Sequence, residues 1–195
     1  TSQASSLAGT RDWKKRLTPL FGQHLRLEEL TVNYRTPQHI MDPATRAGRA
    51  AGLHITDPVT ARIGDHPVEY IRLSEPDGQS ASASELGVDL ARKVADIAHE
   101  QSEELGSGQL AIITPGTLLP TIQSAMSNGT QLPGQLSVLT PEESKGLEFD
   151  IVILVEPGPI AAVAGRGPGD LYVAMSRPTQ KLIIVHRQPL PAGLP

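Results

Sequence analysis

The sequence predicts an α/β layer fold built on a largely parallel, buried sheet. Three observations predict it. Strand-like and helix-like segments alternate from residue 30 to residue 186. The strongest strand, FDIVILV (149–155), is a near-continuous apolar run, as expected of a strand covered on both faces. The chain has 195 residues, enough for one domain with a sizeable core. Aromatics make up only 3%, so that core must be Leu, Ile, Val and Ala.

The elements follow in order. In RDWKKRLTPLFG, Trp13, Leu17, Leu20 and Phe21 share one helical face, with Trp13 read as an apolar anchor. Leu30–Tyr34 is β-rich and stops at Thr36-Pro37. Proline favours a first helical turn, so a helix is expected from Pro37, with Pro43 as a kink. Residues 52–67 read as loop with a short extended piece, and VEYIRL (68–73) alternates like a strand. SEPDGQSASAS is a surface loop. Ser82 and Glu85 have capping-box spacing, and the helix that follows carries Leu86, Leu90, Val94 and Ile97 toward the core, stopping near Gly106. QLAIIT (109–114) is a strand, TLLPTIQSAMSNG a helix weakened by Pro120, and SVLT (137–140) a strand. GRGPGD (165–170) reads as a flexible loop, DLYVAMSR (170–177) as a helix and KLIIVH (181–186) as the last strand. The expected division is a lead-in at 1–28, the α/β domain at 29–187 and an irregular Pro-rich tail at 188–195.

Several function classes drop out. There are no cysteines, so no disulfides or thiolate metal sites; this fits a reducing compartment and an expected cytoplasmic location. The six histidines are scattered without ligand spacing, so no metal site is expected. The first residues show no secretory signal, and the longest apolar region is interrupted by Glu156, Pro157 and Pro159. No nucleophile elbow or dinucleotide fingerprint is present. Charge is uneven. Residues 1–49 hold eight basic and four acidic side chains, residues 50–160 five and sixteen, and residues 161–195 four and one. Nucleic acid is therefore expected at a local basic edge and not over the whole surface.

Three polar clusters punctuate the strands: Asn33-Tyr34-Arg35, Glu142 to Glu148, and Ser176-Arg177. Ligands of such sheets bind at the carboxyl ends of the strands, and the clusters are expected there. An aromatic ring, two arginines, a lysine and a carboxylate suit a nucleotide: ring on base, cations on phosphates, carboxylate on ribose. Read alone, Tyr34 could instead end a strand, and Arg35 and Arg177 could be surface ion-pair partners.

LTVNYRTPQHI (30–40), LTPEESKGLEFDIVIL (139–154) and DLYVAMSRPTQKLIIV (170–185) resemble motifs IV, V and VI of UvrD-like superfamily 1 helicases, in that order. The resemblance implies a RecA-like three-layer fold, the second motor domain (2A) of an ATP-dependent DNA translocase. It is nearest to the HelD-like branch associated with RNA polymerase. It further implies that Tyr34 stacks on adenine, Arg35 reaches the γ-phosphate, Arg177 is the arginine finger and Glu148 lies near the ribose. Thr140, Glu142, Lys145 and Gly146 fall in the loop that couples nucleotide to single-stranded nucleic acid. Two departures stand out: Glu142 occupies a position where the family usually has histidine, and Pro178 follows Arg177 where alanine is usual.

The sequence contains no G-x-x-x-x-G-K-[ST] loop. The resemblance assigns that loop, and most of the Mg²⁺ binding that accompanies ATP, to a preceding N-terminal RecA-like domain. The expectation is a motor half that is inactive alone. The alternative is a nucleotide-switched module that holds a protein partner such as RNA polymerase.

Overall fold

The computed structural model describes residues 13–22, 32–57, 59–64, 66–74, 82–127 and 135–195. Five strands form one sheet: β3 (Glu69–Arg72), β4 (Gln109–Ile113), β5 (Gln135–Leu139), β6 (Phe149–Val155) and β7 (Pro178–His186). Their order is β3-β7-β6-β4-β5, and every neighbouring pair is parallel. Two further short strands, β1 (Val32–Asn33) and β2 (Val59–Thr60), pair with each other outside it.

Strand periodicity builds the three layers. Successive side chains point to opposite faces, so an unbroken apolar run supplies both. In β6, Val152 and Leu154 join one core cluster, and Ile151, Ile153 and Val155 join the other. In β7, Leu182 and Ile184 face one way, Ile183 and Val185 the other. The first cluster is covered by α2 (Gln38–Ala50), α5 (Pro157–Ala161) and α6 (Gly167–Met175). The second is covered by α3 (Ala83–Leu105) and α4 (Leu119–Ser127). Full burial of each such aliphatic side chain contributes about 1.5–3 kcal/mol, so the two clusters account for the fold.

Local signals explain most boundaries. Pro37 caps α2, Ser82 and Glu85 form a reciprocal capping box on α3, and Gly106 closes that helix in the left-handed region. Leu90 and Val94 are buried and Ile97 packs at the rim of the same cluster, while Leu86 is only half-buried. Pro43 sits inside α2 without ending it. Pro178 opens β7, where the first residue of a strand can do without its N–H.

Some expectations change. Of the segment Leu30–Tyr34, Leu30 and Thr31 lie outside the described residues, and Val32–Asn33 form β1, which pairs with β2 and not with the main sheet. GRGPGD is not a flexible loop. Gly167 opens α6, and a Cβ there would lie 2.2 Å from the Ala161 carbonyl oxygen, so glycine is required by the close approach of α5. The helix α5 itself was not anticipated; Glu156, left-handed at φ 48, turns the chain into it. The carboxylate of Glu156 accepts the Arg187 and Gln188 N–H groups at 2.8 and 3.3 Å, which holds that strained turn. The helix expected at RDWKKRLTPLFG is α1 (Trp13–Phe21), and its apolar residues Leu20 and Phe21 are 74% and 54% exposed. The Trp13 side chain, residues 75–81, expected as a surface loop, and residues 128–134, with the expected helix end near Gly129, lie outside the described residues.

Candidate nucleotide and nucleic-acid sites

The candidate residues divide between the two edges of the sheet. Glu148 and Arg177 immediately precede β6 and β7, so in a parallel sheet both lie at the amino edge. The expectation that all three clusters sit at carboxyl ends is therefore corrected. Thr140, which follows β5, and Glu142 in the turn after it are at the carboxyl edge. Between the edges runs the seven-residue β6, about 20 Å at roughly 3.3 Å per residue.

At the amino edge, three distant segments converge. The Asn33 side-chain oxygen accepts the N–H groups of Arg35 (2.9 Å) and Thr36 (3.2 Å), forming a tight turn after β1. The Thr36 hydroxyl then donates to the Ser176 carbonyl at 3.0 Å, tying that turn to the end of α6. This brings Arg35 into an ion pair with Glu148. The Tyr34 ring projects from the same turn and is 72% exposed.

Arg177 behaves differently. It is only 7% exposed. Its Nε donates to the Val173 carbonyl (3.1 Å), Nη1 to the Leu147 carbonyl (2.9 Å) and Nη2 to the Ser176 hydroxyl (3.3 Å). Of a guanidinium's five N–H donors, two have no acceptor among the described residues. Burial, followed by the nearby Arg35 guanidinium, pushes the Arg177 pKa below its ordinary value, and the Glu148 carboxylate opposes this. An arginine nonetheless remains charged at neutral pH. The amino edge thus presents two guanidiniums within electrostatic reach, one carboxylate and one exposed ring.

At the carboxyl edge, the loop from Thr140 forms a single helical turn. Glu143 accepts from the Thr140 N–H and hydroxyl, both at 2.8 Å, and the Thr140 hydroxyl accepts the Glu143 N–H at 3.3 Å. These hydrogen bonds, the Thr140 backbone N–H first and its hydroxyl second, hold the Glu143 carboxyl below its usual range. Buried Ser144 donates to the Pro141 carbonyl at 2.8 Å. Gly146, at φ 82, ends the turn in a conformation that favours glycine and sends the chain back to the amino edge.

Lys145 does not project outward as a phosphate contact. Its Nζ lies 3.0 Å from Asp170 Oδ1, and the two side chains are 16% and 7% exposed. The pair clamps the loop onto α6. Glu142 pairs with Arg166 at 2.5 Å. These two residues, with Asp170, Thr140 and the turn after β4, line a crevice of about 410 Å³. Successive connections leave the sheet in opposite directions from β4 and β6, so this is its topological switch point.

Sequence reasoning placed Asn33 in the first polar cluster without giving it a role, and did not single out Thr36, Arg166 or Asp170. The Thr140–Glu143 interaction had a signal: T-P-E-E is the same capping-box spacing recognised at Ser82–Glu85. Arg166 and Asp170 had none, because both contacts span more than twenty residues of chain.

Residues 54–186 match the family described as the viral superfamily 1 RNA helicase core domain. The match begins after Tyr34 and Arg35 and includes Glu148 and Arg177. Among curated proteins, none matches the sequence. Among solved structures, the chain is similar to the C-terminal domain of a possible DNA helicase from Lactobacillus plantarum WCFS1. Identity is 23% and the TM-score 0.49, covering 82% of this chain and 90% of that one. A parallel three-layer α/β domain whose match runs from the two-stranded sheet to the last strand belongs to the superfamily 1 helicase core family.

Proposed function

We propose that this chain is the second motor half of an ATP-driven superfamily 1 helicase, contributing its amino edge in trans to nucleotide held chiefly by an N-terminal RecA-like domain of the parent protein. The observation that carries this is convergence: a turn after β1, the residue before β6 and the end of α6 together set Arg35, Glu148 and Arg177 around one point. Nothing in core packing calls for two guanidiniums at one edge. A polyanion does.

The residues fit ATP as half a clamp. Tyr34 offers an open ring face to a base. Arg35, half-exposed and paired among the described residues with Glu148, can exchange that carboxylate for phosphate. Arg177 keeps a fixed position through its backbone acceptors and has two N–H groups left for a transferring phosphoryl. Bound Mg-ATP supplies the phosphoanhydride whose hydrolysis drives domain motion, and the acidic Mg²⁺ ligands come from the other domain. Single-stranded nucleic acid, DNA on this reading, contacts the carboxyl edge near Thr140 and Glu142. The loop 140–148 and α6 both run between the edges and are clamped together by Lys145 and Asp170, so movement at one edge is passed to the other.

The test is phosphate release by this chain alone, by the chain mixed with the preceding domain of its parent, and by the intact parent. Inactivity alone with activity on mixing or in the parent supports the split site. Turnover by the chain alone, in a preparation free of contaminating ATPase, would sink it. Inactivity in all three settings would favour the nucleotide-switched module that binds a protein partner.

A further inference from the structure

We propose that Glu142 is a built-in competitor for phosphate at the carboxyl-edge crevice, holding Arg166 until a nucleic-acid backbone displaces it. This rests on the reading that single-stranded nucleic acid contacts that edge, and adds to it a residue that sets affinity.

The local charge geometry supports the role. Two cations stand near the crevice, and they are not equivalent. Lys145 is turned inward on Asp170, a carboxylate that is itself 7% exposed. That ammonium is committed to holding the loop. Arg166, at 38% exposure, is the one cation among the described residues lining the crevice. Its Nη1 lies 2.5 Å from Glu142 Oε2, and its Nε is 3.4 Å from Asp170 Oδ2. Glu142 thus occupies the Nη1 end of the guanidinium fork, an end that a phosphodiester oxygen can use.

Glu142 is also the partner best able to leave. Its side chain is 52% exposed, and Arg166 is its one side-chain partner among the described residues. Exposed ion pairs are weak and screened by salt. Departure of Glu142 leaves its carboxylate in water, whereas Asp170 is buried and held in place by Lys145. The exchange is therefore directional: phosphate replaces Glu142, while Asp170 keeps Arg166 aimed at the crevice. The competitor lowers affinity and adds a requirement for backbone charge, so the edge releases its strand readily.

The experiment is fluorescence anisotropy of a labelled single-stranded oligonucleotide, titrated at several salt concentrations. The chain is compared as wild type, Glu142→Gln, Arg166→Gln and the double variant, with Glu100→Gln on α3 as a control for net charge. All these side chains are at the surface, and thermal melts check that each variant folds. The expected result is that Glu142→Gln tightens binding about three- to fivefold. It should also steepen the log–log salt dependence by about 0.7, one more phosphate contact. The gain should vanish in the Arg166→Gln background and be absent in Glu100→Gln. Unchanged affinity in Glu142→Gln, or an equal gain with Arg166 removed, overturns the proposal while leaving nucleic-acid binding in place. If neither wild type nor Glu142→Gln binds at low salt, the nucleic-acid reading fails and the competitor role with it.

Discussion

Arg177 is anchored by protein groups before any ligand arrives. Three of its nitrogens are spent on Val173, Leu147 and Ser176, so the residue joins α6 to the loop before β6 as well as presenting charge. A lysine keeps the charge but cannot reach three acceptors in fixed directions. Arg177→Ala and Arg177→Lys should therefore both lower the melting temperature, by about 5 °C in this size range. ATP turnover in the intact parent should fall at least about a hundredfold for alanine and less for lysine. Phosphate release unchanged in Arg177→Ala would remove this residue from the chemistry and leave it a structural latch. The two roles were not separable in the sequence, since an arginine at a helix end reads the same whether its acceptors are backbone carbonyls or phosphates.

The loop 140–148 is an element in its own right, with a cap, a turn, a stop and a clamp. Its cap is pH-dependent. The Glu143 carboxyl is held below the ordinary glutamate value of 4.5 in the fold. Its contribution is complete above that value and is lost as pH falls through the lower, folded-state value. Because the group is exposed, the effect should be small. Wild type should lose its stability advantage over Glu143→Gln between neutral pH and about pH 3, read from urea midpoints at each pH. An advantage that persists in acid would refute the cap. The clamp is the stronger test. Lys145→Ala would leave Asp170 buried with only the longer contact to Arg166, and should cost about 3 kcal/mol in urea unfolding. A loss well under 1 kcal/mol would return Lys145 to the exterior. This element was half legible. T-P-E-E announces its cap and Gly146 its stop, but the inward turn of Lys145 depends on a helix twenty-five residues further along the chain.

At the scale of the molecule, the segment after β7 is irregular, as its prolines predict, yet it is fastened down. Leu190 and Leu194 pack on the core cluster beneath α2, and Arg46 Nε donates to the Gly193 carbonyl at 3.4 Å. Removing residues 190–195 should expose that apolar surface and lower stability by about 2 kcal/mol. Equal urea midpoints for full and shortened chains would show the tail to be dispensable. The larger consequence of the architecture is separation. Tyr34, Arg35, Glu148 and Arg177 belong to one edge, and Thr140, Glu142 and Arg166 to the other. A single ligand of nucleotide size cannot touch both, which is why two binding partners are proposed.

The sequence by itself determined the layers. Period-two and helical patterns are local, so they report which segments are strands, which faces are apolar and where helices begin. They identify β6 as the strongest buried strand and β7 as the last one, and the ordered motifs agree with the helicase core family that residues 54–186 match. The tertiary structure alone decided edges and partners. Strand order β3-β7-β6-β4-β5 and common direction place residues before a strand opposite those after it. Ion-pair partners such as Arg35 with Glu148, Lys145 with Asp170 and Glu142 with Arg166 are chosen by contacts between remote segments. Such contacts leave no period in the sequence, because charge attracts across space and not along the chain.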